Sequence, residues 1–136
     1  MSIKSLKICT FNCKNFNGTL KIDYISSLLD KCDFLCLQEH HLFESEFYKF
    51  EELSVQSSVM CTATSAMDPT IFHRGRKFGG TAILWKANMK YTVNSIKTVS
   101  KRLSAVTVDL PNDTNIMITC VYMPCDEGMK VSEVKT

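Results

Sequence analysis

Asp33-Phe34-Leu35-Cys36-Leu37-Gln38-Glu39 is the stretch that decides the fold. Phe34 to Leu37 is a continuous apolar run, strand-sized and closed by polar residues at each end. A strand that is apolar on both faces belongs in the interior of a sheet covered on both sides. Just upstream, Ile22, Ile25, Leu28, Leu29 and Cys32 recur at helical spacing behind Thr19, a candidate N-cap. The spacing predicts a helix that gives way to the strand at Asp33. Farther upstream, Leu6, Ile8 and Thr10 alternate with Lys7, Cys9 and Phe11, which predicts a strand over residues 5–11. Asn12 to Gly18 is polar turn chemistry. Strand, helix and buried strand make a βαβ unit with its two strands parallel.

Downstream, Phe43, Phe47, Phe50 and Leu53 suggest a second, shorter helix, after which the texture becomes β. Strands are expected near 57–63, 81–86, 91–97, 103–110 and 116–122. Residues 64–80 form one long loop with Pro69, Gly75, Gly79 and Gly80, and loops of that length are usually functional or mobile. Pro111-Asn112-Asp113-Thr114-Asn115 is a turn, so the last two strands form an antiparallel hairpin that brings residues 102–104 beside residue 122. The expected architecture is a mixed α/β sheet of unfinished appearance, in one domain over residues 1–136.

Composition agrees with a folded domain. Apolar residues make up 45% and charged residues 22%, against a compositional signature of disorder. No apolar run approaches a membrane span, and Lys4, Lys7, Asn12 and Lys14 interrupt any signal-peptide core, so a soluble intracellular protein, nuclear or cytoplasmic, is expected. Seven cysteines without a secretion signal read as reduced thiols, most of them inside strands. Cys9/Cys13 and Cys32/Cys36 lack the usual spacing of zinc ligands. The net charge of +2 hides an asymmetry: residues 69–108 contain eight bases and no acid. That segment is either an ordinary solvated surface or a flank for a polyanion.

Two polar residues follow the parallel strands, Asn12 after the first and Glu39 after the second. Positions just beyond the carboxyl ends of neighbouring parallel strands share one rim of the sheet. An amide and a carboxylate there suit a hard cation such as Mg²⁺, which needs few protein ligands and keeps its waters. A glutamate ending a strand is as readily a solvated or capping residue. At one end of the hairpin, Arg102 and Tyr122 come together, and a guanidinium with a phenol suits a phosphate oxygen. The bland alternative is an interior tyrosine and a solvated arginine.

Taken together, Thr10-Phe11-Asn12, the Asp33–Glu39 block, Gly79-Gly80-Thr81-Ala82-Ile83-Leu84 and Val121-Tyr122-Met123-Pro124 occur in an order that resembles the endonuclease/exonuclease/phosphatase family. The likeness is greatest to the apurinic-type endonuclease domain of LINE-type retrotransposons. It runs from about Ile3 to Pro124 and covers about the first half of the family's domain. The resemblance implies the first half of a four-layered α/β sandwich and a Mg²⁺- or Mn²⁺-dependent hydrolysis of phosphodiesters between two packed sheets. It implies that Glu39 ligates the metal and that Asn12 orders the metal and phosphate site. It also implies that Tyr122 contacts the scissile phosphate, with Arg102 beside it. DNA is the implied partner, its backbone approaching along the basic loop of Arg74, Arg76 and Lys77.

Departures from the family pattern shape the expectation. Lys14 stands where base-repair members carry an acid, and His40 follows the glutamate where threonine is common. The G-D-x-N and S-D-H motifs of the second half have no counterpart: there is no Gly-Asp pair, and none of His40, His41 and His73 follows an aspartate. The expected protein is therefore a truncated retroelement-type DNA-nicking endonuclease, its sheet open to water on the inner face, marginally stable and catalytically silent. The competing expectations are a non-catalytic nucleic-acid-binding relic using residues 69–108 and a small zinc protein.

Overall fold

The computed structural model describes residues 5–70 and 77–123. Strand β1 (Ile8–Asn12) leads through a polar turn into helix α1 (Thr19–Lys31) and strand β2 (Phe34–Gln38). β1 and β2 pair in parallel from Ile8↔Phe34 to Asn12↔Gln38, so the βαβ unit expected from the sequence is present. Asp33 secures its start: its carboxylate accepts from the Lys7 N–H at 2.8 Å and its own N–H donates to the Lys7 carbonyl at 2.8 Å. The N-cap of α1 is Gly18 and not Thr19, which is the first helical residue. Gly18 sits at φ 93°, a left-handed turn that a threonine there would resist. Ile25 and Leu29 are the buried residues of α1, and Lys31 in the last turn complements the helix dipole.

The predicted second helix is broken into a 3-10 turn at Glu44–Glu46 and a single α turn, α2 (Tyr48–Glu51). The Glu46 carboxylate accepts from the Phe43 N–H at 3.1 Å and tightens that first turn. Strands β3 (Val59–Thr64), β4 (Thr81–Lys86), β5 (Thr92–Ile96), β6 (Leu103–Leu110) and β7 (Thr114–Val121) follow. β2, β4 and β6 coincide with their expected limits for the strand runs in the sequence. β7 begins two residues early because the turn contracts to Pro111-Asn112-Asp113, with Asn112 and Asp113 at φ 66° and 57°. Short amide and carboxylate side chains tolerate that conformation better than most.

The described strands form two sheets, β1-β2-β4-β3 and β5-β6-β7, and among them only the β1–β2 pair is parallel. This corrects the expectation of a single sheet with its inner face open to water. β2 alternates between two cores, as a strand buried on both faces must. Leu35 and Leu37, with Ala82 and Leu84 of β4, pack under Ile25, Leu29 and Phe50 of the helices. Phe34 and Cys36, with Ile83 and Trp85, face Val106, Val108, Ile118 and Cys120 of the second sheet. Each fully buried Leu, Ile, Val or Phe among them contributes about 1.5–3 kcal/mol. Toward one rim the inter-sheet contacts turn polar: Thr81, itself bonded to its β3 neighbour Thr64 at 2.7 Å, bonds Ser104 at 2.6 Å, and Thr62 bonds Ser95.

The second sheet is one strand narrower than the first. β7 contacts β2 and β4, and β6 contacts β4 and β3, so the inner face of β1 extends beyond it. No helix among the described residues is long and apolar enough to cross a membrane.

Candidate active site

β1 and β2 end at one rim, and their chains stay laced beyond it. Cys13 N–H donates to the Gln38 carbonyl at 2.8 Å, Asn15 N–H to Glu39 at 2.8 Å and Phe16 N–H to His40 at 3.0 Å. Simple strand alternation would send Glu39 to the helix side, opposite Gln38. Its backbone instead takes φ 56°, which returns the carboxylate to the side of Asn12. There Asn12 Nδ2 donates to Glu39 Oε2, while Asn12 Oδ1 accepts from the Lys14 N–H at 3.0 Å. Both ends of the amide are engaged, so its orientation and that of the carboxylate are set together.

Glu39 Oε1 lies 3.8 Å from His41 Nε2. Burial pushes the His41 imidazole below its ordinary pKa, and the Glu39 carboxylate opposes that shift. These groups open onto a cleft of about 900 Å³ whose walls include Asn12, Gln38, Glu39, His41, Lys77, Phe78 and Tyr122. Gln38 knits the floor: its Nε2 donates to Thr10 Oγ1 at 2.8 Å and to Cys120 Sγ at 3.3 Å, joining β1, β2 and β7. Lys77 also lines the cleft, its ammonium 5.8 Å from the centroid of the Phe43 ring. Tyr122 follows β7, anchored by its N–H to the Arg102 carbonyl at 3.0 Å.

Four residues singled out from the sequence, Asn12, Glu39, Lys77 and Tyr122, therefore line one cleft. Arg102 does not line it. It lies in an adjoining pocket of about 360 Å³ with Gly79, Gly80 and Lys101, sharing the Phe78 and Tyr122 wall. Arg74 and Arg76 lie outside the described residues. Sequence reasoning missed His41 and Gln38. For Gln38 the signal was its place in the Leu37-Gln38-Glu39 block. His41 could be found only by anticipating the left-handed bend at Glu39.

The carboxylate is about a quarter exposed, with one oxygen held by Asn12 and the other toward the cleft. A single well-oriented hard oxygen donor fits Mg²⁺ or Mn²⁺, which keep most of their waters. Zinc prefers three or four nitrogen and sulfur ligands. Among the described residues no group of three or more His, Cys, Asp and Glu side chains converges, and the six described cysteines are free thiols. Burial raises the Cys13 thiol to about 12, so it stays protonated.

The profile of the Endonuclease/Exonuclease/phosphatase family matches residues 9–130. The chain belongs to that family. Among solved structures, the AP endonuclease LMAP from Leishmania major superposes with a TM-score of 0.62 at 18% identity, over 95% of this chain and 43% of that one. The human Nocturnin catalytic domain, with bound sulfate anion, gives a TM-score of 0.52 at 17% identity, over 90% of this chain and 51% of its own. At these identities the likeness is one of fold, and the chain spans about half the length of the endonuclease/exonuclease/phosphatase structures it matches. No curated protein matches the sequence.

Proposed function

We propose that this chain carries the metal- and phosphate-binding half of a DNA phosphodiester hydrolase of retroelement type, and that alone it binds without turning over. The observation that carries the reading is the Asn12–Glu39 pair, a fixed carboxylate at the mouth of a cleft that also holds Lys77 and Tyr122. Glu39, ordered by Asn12, would hold Mg²⁺ or Mn²⁺. When bound, that ion polarises a phosphate oxygen and neutralises charge on the leaving oxygen. Tyr122 supplies a phenol toward the scissile phosphate, and Lys77 a positive charge in the same cleft. Arg102, one pocket away, suits a neighbouring phosphate of the DNA backbone through its planar fork of donors. Arg74 and Arg76 extend the same basic loop in sequence.

Water activation is what the described site lacks. Among the described residues His41 is the imidazole that lines the cleft, and its Nε2 lies 3.8 Å from Glu39 Oε1. A general base must reach the proton it abstracts, so the expected chemistry of the isolated chain is binding. The supporting features for binding without cleavage are the basic run of residues 69–108 and the Lys101–Arg102 pocket beside the cleft.

The test is Mn²⁺ binding by electron paramagnetic resonance, together with nicking of supercoiled plasmid in Mg²⁺ or Mn²⁺. Glu39→Gln keeps the shape of the side chain and removes its charge. The expected result is Mn²⁺ binding by the wild type, weakened about tenfold or more in Glu39→Gln, with no nicking by either. Equal Mn²⁺ binding by both proteins would overturn the site. Nicking that Glu39→Gln abolishes would keep the site and overturn the catalytic silence.

A further inference from the structure

We infer that His40 is the positioning residue of the site, a buried bolt that sets where Glu39 points. The inference rests on reading Glu39 as the functional carboxylate, and it concerns the residue the cleft does not contain. Glu39 and His41 both occupy left-handed backbone, at φ 56° and 61°, on either side of His40. Such a conformation costs a non-glycine residue about 1–2 kcal/mol, so two in three residues need something that enforces them.

The main-chain lacing supplies part of it. Glu39 N–H donates to the Gly80 carbonyl at 2.8 Å and His41 N–H to the Gly79 carbonyl at 2.9 Å. The His40 ring supplies the rest from inside. It is wholly buried. Its Nε2 lies 2.9 Å from the Thr64 carbonyl and 3.2 Å from the Thr81 carbonyl, and its Nδ1 accepts from the Leu42 N–H at 2.9 Å. Two carbonyls at Nε2 and an amide at Nδ1 specify the neutral tautomer protonated on Nε2. One rigid ring thus ties the 39–42 turn to the end of β3 and the start of β4.

The ring's slot is equally specific. Phe47 and Phe50 present T-shaped contacts at centroid distances of 5.6 and 5.3 Å. On another side is Gly80, at φ 100°, where an added Cβ would stand 2.3 Å from His40 Cε1 and 2.6 Å from Nε2. His40 and Gly80 are therefore a matched pair: the ring needs the missing side chain. Because successive residues diverge from the backbone, seating His40 inward leaves Glu39 directed outward to Asn12. Histidine carries this acceptor and this donor on one rigid aromatic ring that fills the slot; glutamine keeps a donor near the Nε2 position, and leucine keeps only volume.

The experiment compares wild type, His40→Gln, His40→Leu and Gly80→Ala by Mn²⁺ affinity of the folded protein and by amide hydrogen exchange at Glu39 and His41, with Leu37 as the internal reference. The expected result is an affinity loss of about tenfold or more in His40→Leu and Gly80→Ala and a smaller loss in His40→Gln. Glu39 and His41 should lose protection while Leu37 keeps it. If His40→Leu does not fold, the glutamine variant decides. Wild-type affinity and wild-type protection at Glu39 in a folded variant with a lowered melting temperature would overturn the inference, since that is what a purely structural histidine would give. If the wild type itself binds no Mn²⁺, the metal reading fails, and the amide protection still tests the positioning.

Discussion

Ile8 of β1 and Phe34 of β2 are register partners on the same face of the same sheet, yet Ile8 is 49% exposed and Phe34 is fully buried. Both are apolar strand residues, and nothing in their own identity separates them. The difference is what stands across from them. Phe34 meets Trp85 at a ring-centroid distance of 6.1 Å and the Val106–Val108 stretch of β6, whereas the second sheet ends at β7, before it reaches β1. Burial here is a property of the opposing layer, and the layer stops one strand short.

The largest expected effect tests whether the covered part of that face is a genuine core. Phe34→Ala on the sandwich face and Phe50→Ala on the helix face should each cost about 3–5 kcal/mol, the usual penalty for truncating a fully buried aromatic. Urea denaturation measures both. Comparable losses would make the two faces equal partners in stability. A Phe34→Ala cost near that of a surface substitution would mean that the β5-β6-β7 sheet does not seal the first sheet in solution.

A second contrast sets these pH-insensitive faces against the rim. Burial lowers the His40 pKa to about 4, although carbonyl contacts to Thr64 and Thr81 work the other way, against an unfolded value of 6.5. Between those values the unfolded chain binds the extra proton, so stability is complete above pH 6.5 and falls as pH drops toward 4. The loss across that window is about 3 kcal/mol. His41 is shifted in the same direction and adds to the slope with the same sign. Denaturation midpoints of wild type and His40→Gln at pH 7 and pH 4.5 isolate the contribution. Their difference should shrink at the lower pH, and a constant difference would count against a buried neutral ring.

The sequence already showed the parts of this fold that depend on local alternation. The Phe34–Gln38 run and the Leu103–Leu110 strand announce themselves, because each apolar or turn residue points to one conformation. That Asn12 and Glu39 share one rim was legible because parallel strands place their ends together, but the left-handed bend that turns Glu39 to the side of Asn12 was not. What was hidden depends on partners distant in sequence. Coverage of the inner face required knowing that β5, β6 and β7 form a separate layer. The seating of His40 required knowing that Gly80, forty residues away, leaves room for its ring. The exclusion of Arg102 from the cleft turns on a hairpin end whose backbone register was anticipated but whose neighbouring wall, Phe78, was not.

The smallest expected effect is at Ile8 itself. With half its surface in water and no strand across from it among the described residues, Ile8→Ala should change stability by no more than about 0.5 kcal/mol, as for surface substitutions that touch no special feature. Ile8→Lys should be tolerated almost as well, because the ammonium has solvent to reach. Phe34→Lys, one strand over, would bury an unpaired charge and prevent folding. Urea midpoints for the two Ile8 variants, taken across a tenfold range of protein concentration, give the result its meaning. Concentration-independent, near-zero changes would show β1 facing water in the monomer. A loss of 2 kcal/mol or more that grows with protein concentration would show that something covers that strand in solution. The covering layer would then be a second copy of this chain, since β1 and β7 are edge strands among the described residues and open strand edges favour association.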